Sequence, residues 1–469
     1  MSKESTGPAA KERTLGSRML HLAFPMAIQS LLTSVVNASD AVMLGALSQN
    51  EMAAVSLAGQ IAFVHMLFLS SCMIGQSAMV AQYWGKKDKQ AVEEITAIAA
   101  TASAVCSLIF ALLALIFPQA LMSLYTSDPN LIRSGAIYLR VVSPSYMFLG
   151  FSQIYLCMMK NTDRVLKSSI FGTVPVVMNV ILNAFFIFGL AGLPKMGIAG
   201  AALATVLSRL TELILAAIEN GKKRVVRLRL SYMIHIPQKQ AKAYFRYTKP
   251  VLGNMIAWGG AMTMYSVIMG HLGSDAVAAS AAAGIVKNIA GCASSGLGAG
   301  TGIIIGNLLG AGKLEEAKKA GTRIMHMSLA VGAVSGALIA LTSFMLPFLP
   351  LNLTDPAMQF LKIMLIVCGI NMVGKTANST LISGIFTAGG DTRFGFLADL
   401  INLWGVILPI AFISAFLFKL PAWLVYCLMN LDEFTKMPFE YRHYRKYGWV
   451  TDITEKKEMN EVAKIGVDG

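Results

Sequence analysis

Apolar residues fill the chain in long runs cut by short polar punctuation, and most runs approach or exceed the roughly 20 residues that a membrane-crossing helix needs. Twelve stretches can be marked: 20–46, 53–84, 91–117, 131–158, 166–189, 197–218, 247–271, 277–309, 317–349, 357–387, 393–418 and 421–436. The last is short and ends on Asp432 and Glu433. Several others outrun the hydrocarbon thickness and are expected to tilt, bend or project into water. Hydrocarbon offers no partner to a backbone N–H or C=O, so each run has to satisfy its own polar groups as a helix. The pattern predicts an all-α polytopic membrane protein with twelve transmembrane helices.

The longest polar interruption, 219–249, divides the runs six and six. The halves align at a constant shift of 225 residues. Pro25 meets Pro250, Gly45 meets Gly270, Ala53-Ala54 meets Ala278-Ala279, Gly59 meets Gly284, Gly75 meets Gly300 and Gly85 meets Gly310. An even number of crossings gives both repeats the same orientation, which implies a pseudo-twofold axis along the membrane normal. The expected organisation is an N-terminal segment 1–19, an N-lobe 20–218, a basic linker 219–246, a C-lobe 247–436 and a tail 437–469.

Composition excludes a water-soluble globule: 55% of the 469 residues are hydrophobic and 14% charged, where soluble domains carry about a quarter charged. The net charge of +14 does not call for nucleic acid. Most Lys and Arg residues gather in alternate loops, including 85–89, 160–167, 219–249 and 313–323, and in both terminal segments. Basic loops face the cytoplasm, so a multi-pass protein of the plasma or inner cell membrane with both termini cytoplasmic is expected. The six cysteines lie inside apolar runs without metal-ligand spacing. Gly310-Ala-Gly312-Lys313 is followed by Leu314, not the Ser or Thr of a phosphate loop. No H-E-x-x-H or G-x-S-x-G occurs, so an intramembrane enzyme is disfavoured.

Ionisable and amide side chains at membrane depth are the functional candidates. Asp40 lies about 9 Å, at 1.5 Å per residue, from the outer end of the first run. Asn179, Asn183 and Thr205 on the fifth and sixth runs, and Tyr138 and Arg140 on the fourth, fall at comparable depth. A carboxylate among neutral oxygens either exchanges a proton, its pKa raised by desolvation, or holds a hard cation such as sodium. Arg140 either keeps Asp40 ionised or snorkels outward. In the second half, Lys287 and Lys375 need a carboxylate partner, and Asp399 is the expected one; a packing role and a transport role remain open for this cluster. Pro25 and Pro250 are expected in first helical turns or at bends, Pro25 being the candidate bend of the first helix.

Four motifs carry a family resemblance: Asn37-Ala-Ser-Asp40-Ala-Val-Met-Leu-Gly45, Met178-Asn179-Val-Ile-Leu-Asn183, Gly197-Ile-Ala-Gly200-Ala-Ala-Leu-Ala-Thr205 and Gly389-Gly-Asp391-Thr-Arg393. In these the chain resembles the multidrug and toxic compound extrusion (MATE) transporters. The resemblance implies a secondary-active antiporter that uses a proton or sodium gradient to export amphipathic, cationic small molecules by alternating access. It needs no cofactor, and its partners are membrane lipid and the small-molecule substrate; it is expected to work as a monomer. By resemblance, Asp40, Asn179, Asn183 and Thr205 form the coupling site for the proton or sodium, with Tyr138, Gln153, Arg140 and Asn37 around the substrate pocket. Some members carry an acid where this chain has Asn183, and others carry acids where it has Trp258 and Thr376; coupling is therefore expected in the N-lobe. A lipid-linked oligosaccharide flippase of the same architecture is the alternative.

Overall fold

The computed structural model describes residues 14–45, 48–192, 194–222, 226–346 and 353–454. Among them there is no strand. The first half comprises α1 (Leu15–Gly45), α2 (Gln49–Gly85), α3 (Lys89–Ile116), α4 (Pro118–Ser123), α5 (Pro129–Asn161), α6 (Val165–Phe188) and α7 (Gly197–Asn220). A short α8 (Leu230–Ile234) leads into the second half: α9 (Gln238–His271), α10 (Ser274–Gly310), α11 (Leu314–Met345), α12 (Asp355–Phe386), α13 (Thr392–Leu417), α14 (Ala422–Met429) and α15 (Asp432–Arg445). Among the described residues, 11 helices are long and apolar enough to cross a membrane.

Side-chain caps set several starts, as the orphan N–H groups of a first turn require. Ser48 accepts from Glu51 N at 3.1 Å and Asp88 from Ala91 N at 3.0 Å. The two Asp-Pro segments begin α5 and α12: Asp128 accepts from Asn130 N at 2.8 Å, and Thr354 from Ala357 N at 3.3 Å. Pro25 and Pro250 both lie well inside their helices, not in first turns, because α1 and α9 start upstream at Leu15 and Gln238.

The twelfth run departs most from expectation. It does not end at Asp432 and Glu433. α14 tightens at Asn430 and Leu431, and α15 then carries the helix on to Arg445. Three asparagine side chains satisfy carbonyls at this interruption: Asn371 donates to Asn430 O at 2.7 Å, Asn402 to Asp432 O at 2.8 Å and Asn378 to Glu433 O at 2.7 Å. Irregular backbone at membrane depth persists only where protein partners of this kind replace water.

The repeat reappears in space as exchanged contacts between the lobes. Met19 of α1 is buried in a C-lobe core with Leu297, Ile304 and Phe386. Its counterpart 225 residues on, Tyr244 of α9, is buried in an N-lobe core with Ile95, Leu156 and Met159, and its hydroxyl donates to Cys72 O at 3.0 Å. A Cβ at Gly75 would overlap Thr248, and one at the equivalent Gly300 would touch Met19 and Ala23. A Cβ at Gly85 would overlap the Asn307 carbonyl, and one at Gly310 the Gln82 carbonyl. Each pair maps onto the other under the same shift, so the pseudo-twofold axis runs between α2 and α10. The lobes are pressed together at the end where α2 and α10 finish. Toward the other end, a Cβ at Gly59 or at the equivalent Gly284 would meet open space.

The C-terminal segment fastens the closed end. Trp449 is fully buried, stacks on Tyr444 at 5.7 Å and donates to Tyr444 O at 3.1 Å. Gln82 of α2 donates to Ala388 O at 2.6 Å and Thr451 O at 3.0 Å, and accepts from Ile453 N at 2.9 Å. One N-lobe amide thus binds three backbone groups of the C-lobe half. Replacing Gly310 by Val is expected to cost about 1–3 kcal/mol of packing in this closed state. The readouts are a lowered thermal midpoint and faster maleimide labelling of Cys157, which lines the cavity behind the contact.

Candidate functional site

In the N-lobe, α6 and α7 bring three of the expected coupling residues into a short polar chain. Asn183 donates to Asn179 Oδ1 at 3.3 Å, Asn179 donates to Thr205 Oγ1 at 3.4 Å, and Thr205 donates back to Ala201 O at 3.1 Å. Both asparagines are buried, and four-residue spacing keeps them on one face of α6. Tyr138 of α5 packs at the junction of two N-lobe apolar clusters. Asn37 and Asp40 belong to the backbone of α1, but their side chains lie outside the described residues. Arg140 is exposed.

Gln153 does not join this chain. It donates to Glu212 Oε1 at 2.6 Å, about 10 Å along α7 from Thr205 at 1.5 Å per residue. Ser152 donates to the same oxygen at 2.8 Å, and Arg209 pairs with Oε2 at 2.8 Å. Glu212 is fully buried; it lies inside the sixth run, 197–218, and no local pattern marks it, because its partners Ser152 and Gln153 come from another helix.

The C-lobe holds a larger charged cluster than the sequence suggested. Asp399 does not pair with Lys287 or Lys375. It binds Lys436 at 2.8 Å and accepts from Asn254 at 3.0 Å. The reason is the continuation of the twelfth run: α15 carries Asp432, Glu433 and Lys436 into the lobe rather than out of the membrane. Lys436 also pairs with Glu433 at 3.1 Å, which accepts from Asn378 at 2.9 Å. Lys287 donates to Asn430 Oδ1 at 2.7 Å. A cavity of about 480 Å³ opens onto this cluster, with Trp258, Tyr265, Lys287, Lys375, Asp432 and Glu433 in its wall. Thr376 is not in that wall; it bonds Ser294 at 2.6 Å.

A second cavity, of about 270 Å³, lies between the lobes behind the closed end. Met26, Met73, Ser77 and Lys160 come to it from the N-lobe, and Ser295, Ile303, Ser379 and Ser383 from the C-lobe. Residues Ser379–Phe386 of α12 are wound as π-helix, a widening that recurs at functional sites. Among the described residues no group of three or more His, Cys, Asp or Glu is disposed to hold a metal ion.

Breaking a buried ion pair from one side leaves an uncompensated charge and costs about 3–5 kcal/mol. Lys436→Met is therefore expected to lower the thermal midpoint sharply. Adding Asp399→Asn should cost less than the sum of the single changes, because the orphaned carboxylate is removed with its partner. Thermal unfolding of the four proteins of this cycle measures the coupling.

Comparison with known proteins agrees with this architecture. The MatE family profile matches residues 25–185 and 250–413, the two halves already related by the repeat. Among curated relatives, the uncharacterized transporter YisQ of Bacillus subtilis is 21% identical over 444 residues, covering 94% of this chain and 96% of YisQ. A probable multidrug resistance protein NorM of Burkholderia pseudomallei is 27% identical over 420 residues, covering 84% of this chain and 85% of NorM. Among solved structures, the Vibrio cholerae MATE transporter VcmN in its bent form superposes with a TM-score of 0.81 at 16% identity, covering 93% of this chain and 98% of that one. A MOP superfamily transporter from Pyrococcus furiosus gives 0.82 at 16% identity, covering 92% and 96%. With both halves matched and the two-lobe helical fold shared, the chain belongs to the MatE family and is a multi-pass membrane transporter, not an enzyme.

Proposed function

We propose that the protein is a cation-coupled antiporter that exports amphipathic small molecules through the cleft between its lobes. The observation that carries this reading is the central cavity, walled by both repeats and closed at one end by the reciprocal contacts of Gly85 and Gly310. A cleft closed at one end by a symmetric, purely steric contact suits a protein that exchanges which end is closed. The names of the NorM relatives support multidrug substrates. A flippase reading receives no support, because among the described residues the central cavity presents one lysine where a pyrophosphate would call for several cations.

Coupling is assigned to the N-lobe. The Asn179, Asn183 and Thr205 oxygens supply neutral ligands, and Asp40 of α1 supplies the charge; whether a proton or sodium binds there, substrate and coupling ion occupy the site alternately. The basic loops set the closed end at the cytoplasmic side of a cell membrane, with both termini there, and the lobes 20–218 and 247–436 move about the linker 219–246 as a monomer in lipid. Tyr138 and, by the family resemblance, Asn37 are assigned to the substrate beside the N-lobe site. Gln153 serves it indirectly, by holding Glu212, and Arg140 faces the cleft or lipid without contributing to the chain of asparagines. Pro25 supplies a bend point of α1, and the C-lobe ion pairs of Lys436 serve packing.

Reconstitution into vesicles with separately imposed proton and sodium gradients, following ethidium, tests this. One gradient is expected to drive dye movement, and Asp40→Asn is expected to abolish it while the protein remains folded. Transport at wild-type rates in that variant would overturn the coupling site, and failure of both gradients would overturn antiport.

A further inference from the structure

Among the described residues, Lys160 is the one charged side chain on the wall of the central cavity. It occupies the last turn of α5, where the helix C-terminus favours a cation. Among the described residues it has no carboxylate within ion-pair distance and no hydrogen-bond acceptor. The acid whose field reaches it, Glu212, is already engaged by Ser152, Gln153 and Arg209. Of the lysines of the C-lobe cavity, Lys287 has Asn430; Lys375, like Lys160, makes no ion pair or hydrogen bond among the described residues, but its cavity also holds the carboxylates of Asp432 and Glu433. Lys160 is half-buried, so its ammonium is open to an anion that enters the cavity, and a charge-assisted pair there is stronger than one in open water.

The opposite wall provides matching donors. There Ser295 and Thr387 commit their hydroxyl hydrogens to Gly291 O and Ile382 O, as Ser77 on the Lys160 side does to Asn161 Oδ1. Ser379 and Ser383 have no such commitment among the described residues, and their four-residue spacing on the π-wound end of α12 sets both on the cavity. Met26, Met73, Ile74 and Ile303 complete the wall, polarizable and apolar surface suited to varied hydrocarbon. Among the described residues that line the cavity there is no carboxylate.

We propose that Lys160 of the N-lobe, with Ser379 and Ser383 of the C-lobe, binds the acidic group of an amphipathic small molecule at the inner end of the cleft. The substrate's carboxylate or sulfonate then bridges the lobes, while its apolar body lies against the methionines. This deepens the transport reading and departs from the expectation of a cationic substrate. It rests on that reading for the role of the cleft, whereas the binding itself requires no gradient.

Fluorescein and rhodamine 6G share a xanthene skeleton and differ in charge. Their fluorescence anisotropy is to be measured with the full chain in nanodiscs of phosphatidylcholine. Fluorescein is expected to bind saturably, and Lys160→Gln to weaken it about tenfold or more, the scale of one lost charge-assisted hydrogen bond. Lys160→Arg should largely retain binding, Ser379→Ala with Ser383→Ala should give a smaller loss, and rhodamine 6G should not lose affinity in any of these variants. Elution of each variant as a single monodisperse species checks that it is folded. Equal fluorescein affinity in wild type and Lys160→Gln, or no fluorescein binding, would overturn the proposal. Displacement of fluorescein by added phosphatidylglycerol would overturn it in favour of a lipid headgroup. Failure of both gradients in the vesicle experiment would leave these binding results standing, so the two readings fail separately.

Discussion

The backbone contact between α2 and α10 is the constraint on which the rest of the structure depends. Gly85 rests on Asn307 and Gly310 on Gln82, positions related by the internal repeat, so a single steric requirement is met twice by one duplicated residue. Lipid tails are as apolar as a leucine surface, and close backbone approach is what holds helices together in that solvent. The contact seals one end of the cleft without any charge. Gln82 then adds directionality: its side chain reaches three backbone groups of Ala388, Thr451 and Ile453, so the C-terminal segment acts as a latch on the closed end.

Around that seal the two lobes distribute polarity differently although they are repeats. The N-lobe keeps neutral amides and a hydroxyl in a row on α6 and α7 and fully satisfies Glu212 with Ser152, Gln153 and Arg209. The C-lobe instead concentrates Asp399, Asp432, Glu433 and Lys436 at the interruption between α14 and α15. Charges at membrane depth persist there because each finds partners from α9, α12 or α13. Lys160, without an ion pair among the described residues, faces the cavity of about 270 Å³ to which both lobes contribute.

Much of the architecture was legible in one dimension because its signals are local. Apolar run length reports a crossing, and the shift that aligns Pro25 with Pro250 and Gly85 with Gly310 reports the duplication, since a glycine required by a backbone contact cannot be replaced silently. The Asp-Pro starts of α5 and α12 are likewise written in a few adjacent residues. What misled was any feature whose meaning depends on a distant partner. Asp432 and Glu433 read as the end of a span because no sequence window contains Lys436 together with Asn371, Asn378 and Asn402 from two other helices. Asp399 was assigned to Lys287 and Lys375 for the same reason. Gln153 looked like a pocket residue until α7 was seen to deliver Glu212 to it.

Alternating closure of the two ends is the claim most open to direct measurement. Spin labels on a background lacking the six native cysteines, at Lys87 and Lys313 on the closed end and at Ser127 and Gln359 on the other, report the separation of the lobes at both ends by pulsed dipolar spectroscopy. Across a change of pH or sodium, the separation at one pair should lengthen as that at the other shortens, in both senses. Two distances that stay fixed, or that lengthen together, would contradict a cleft whose ends close in turn.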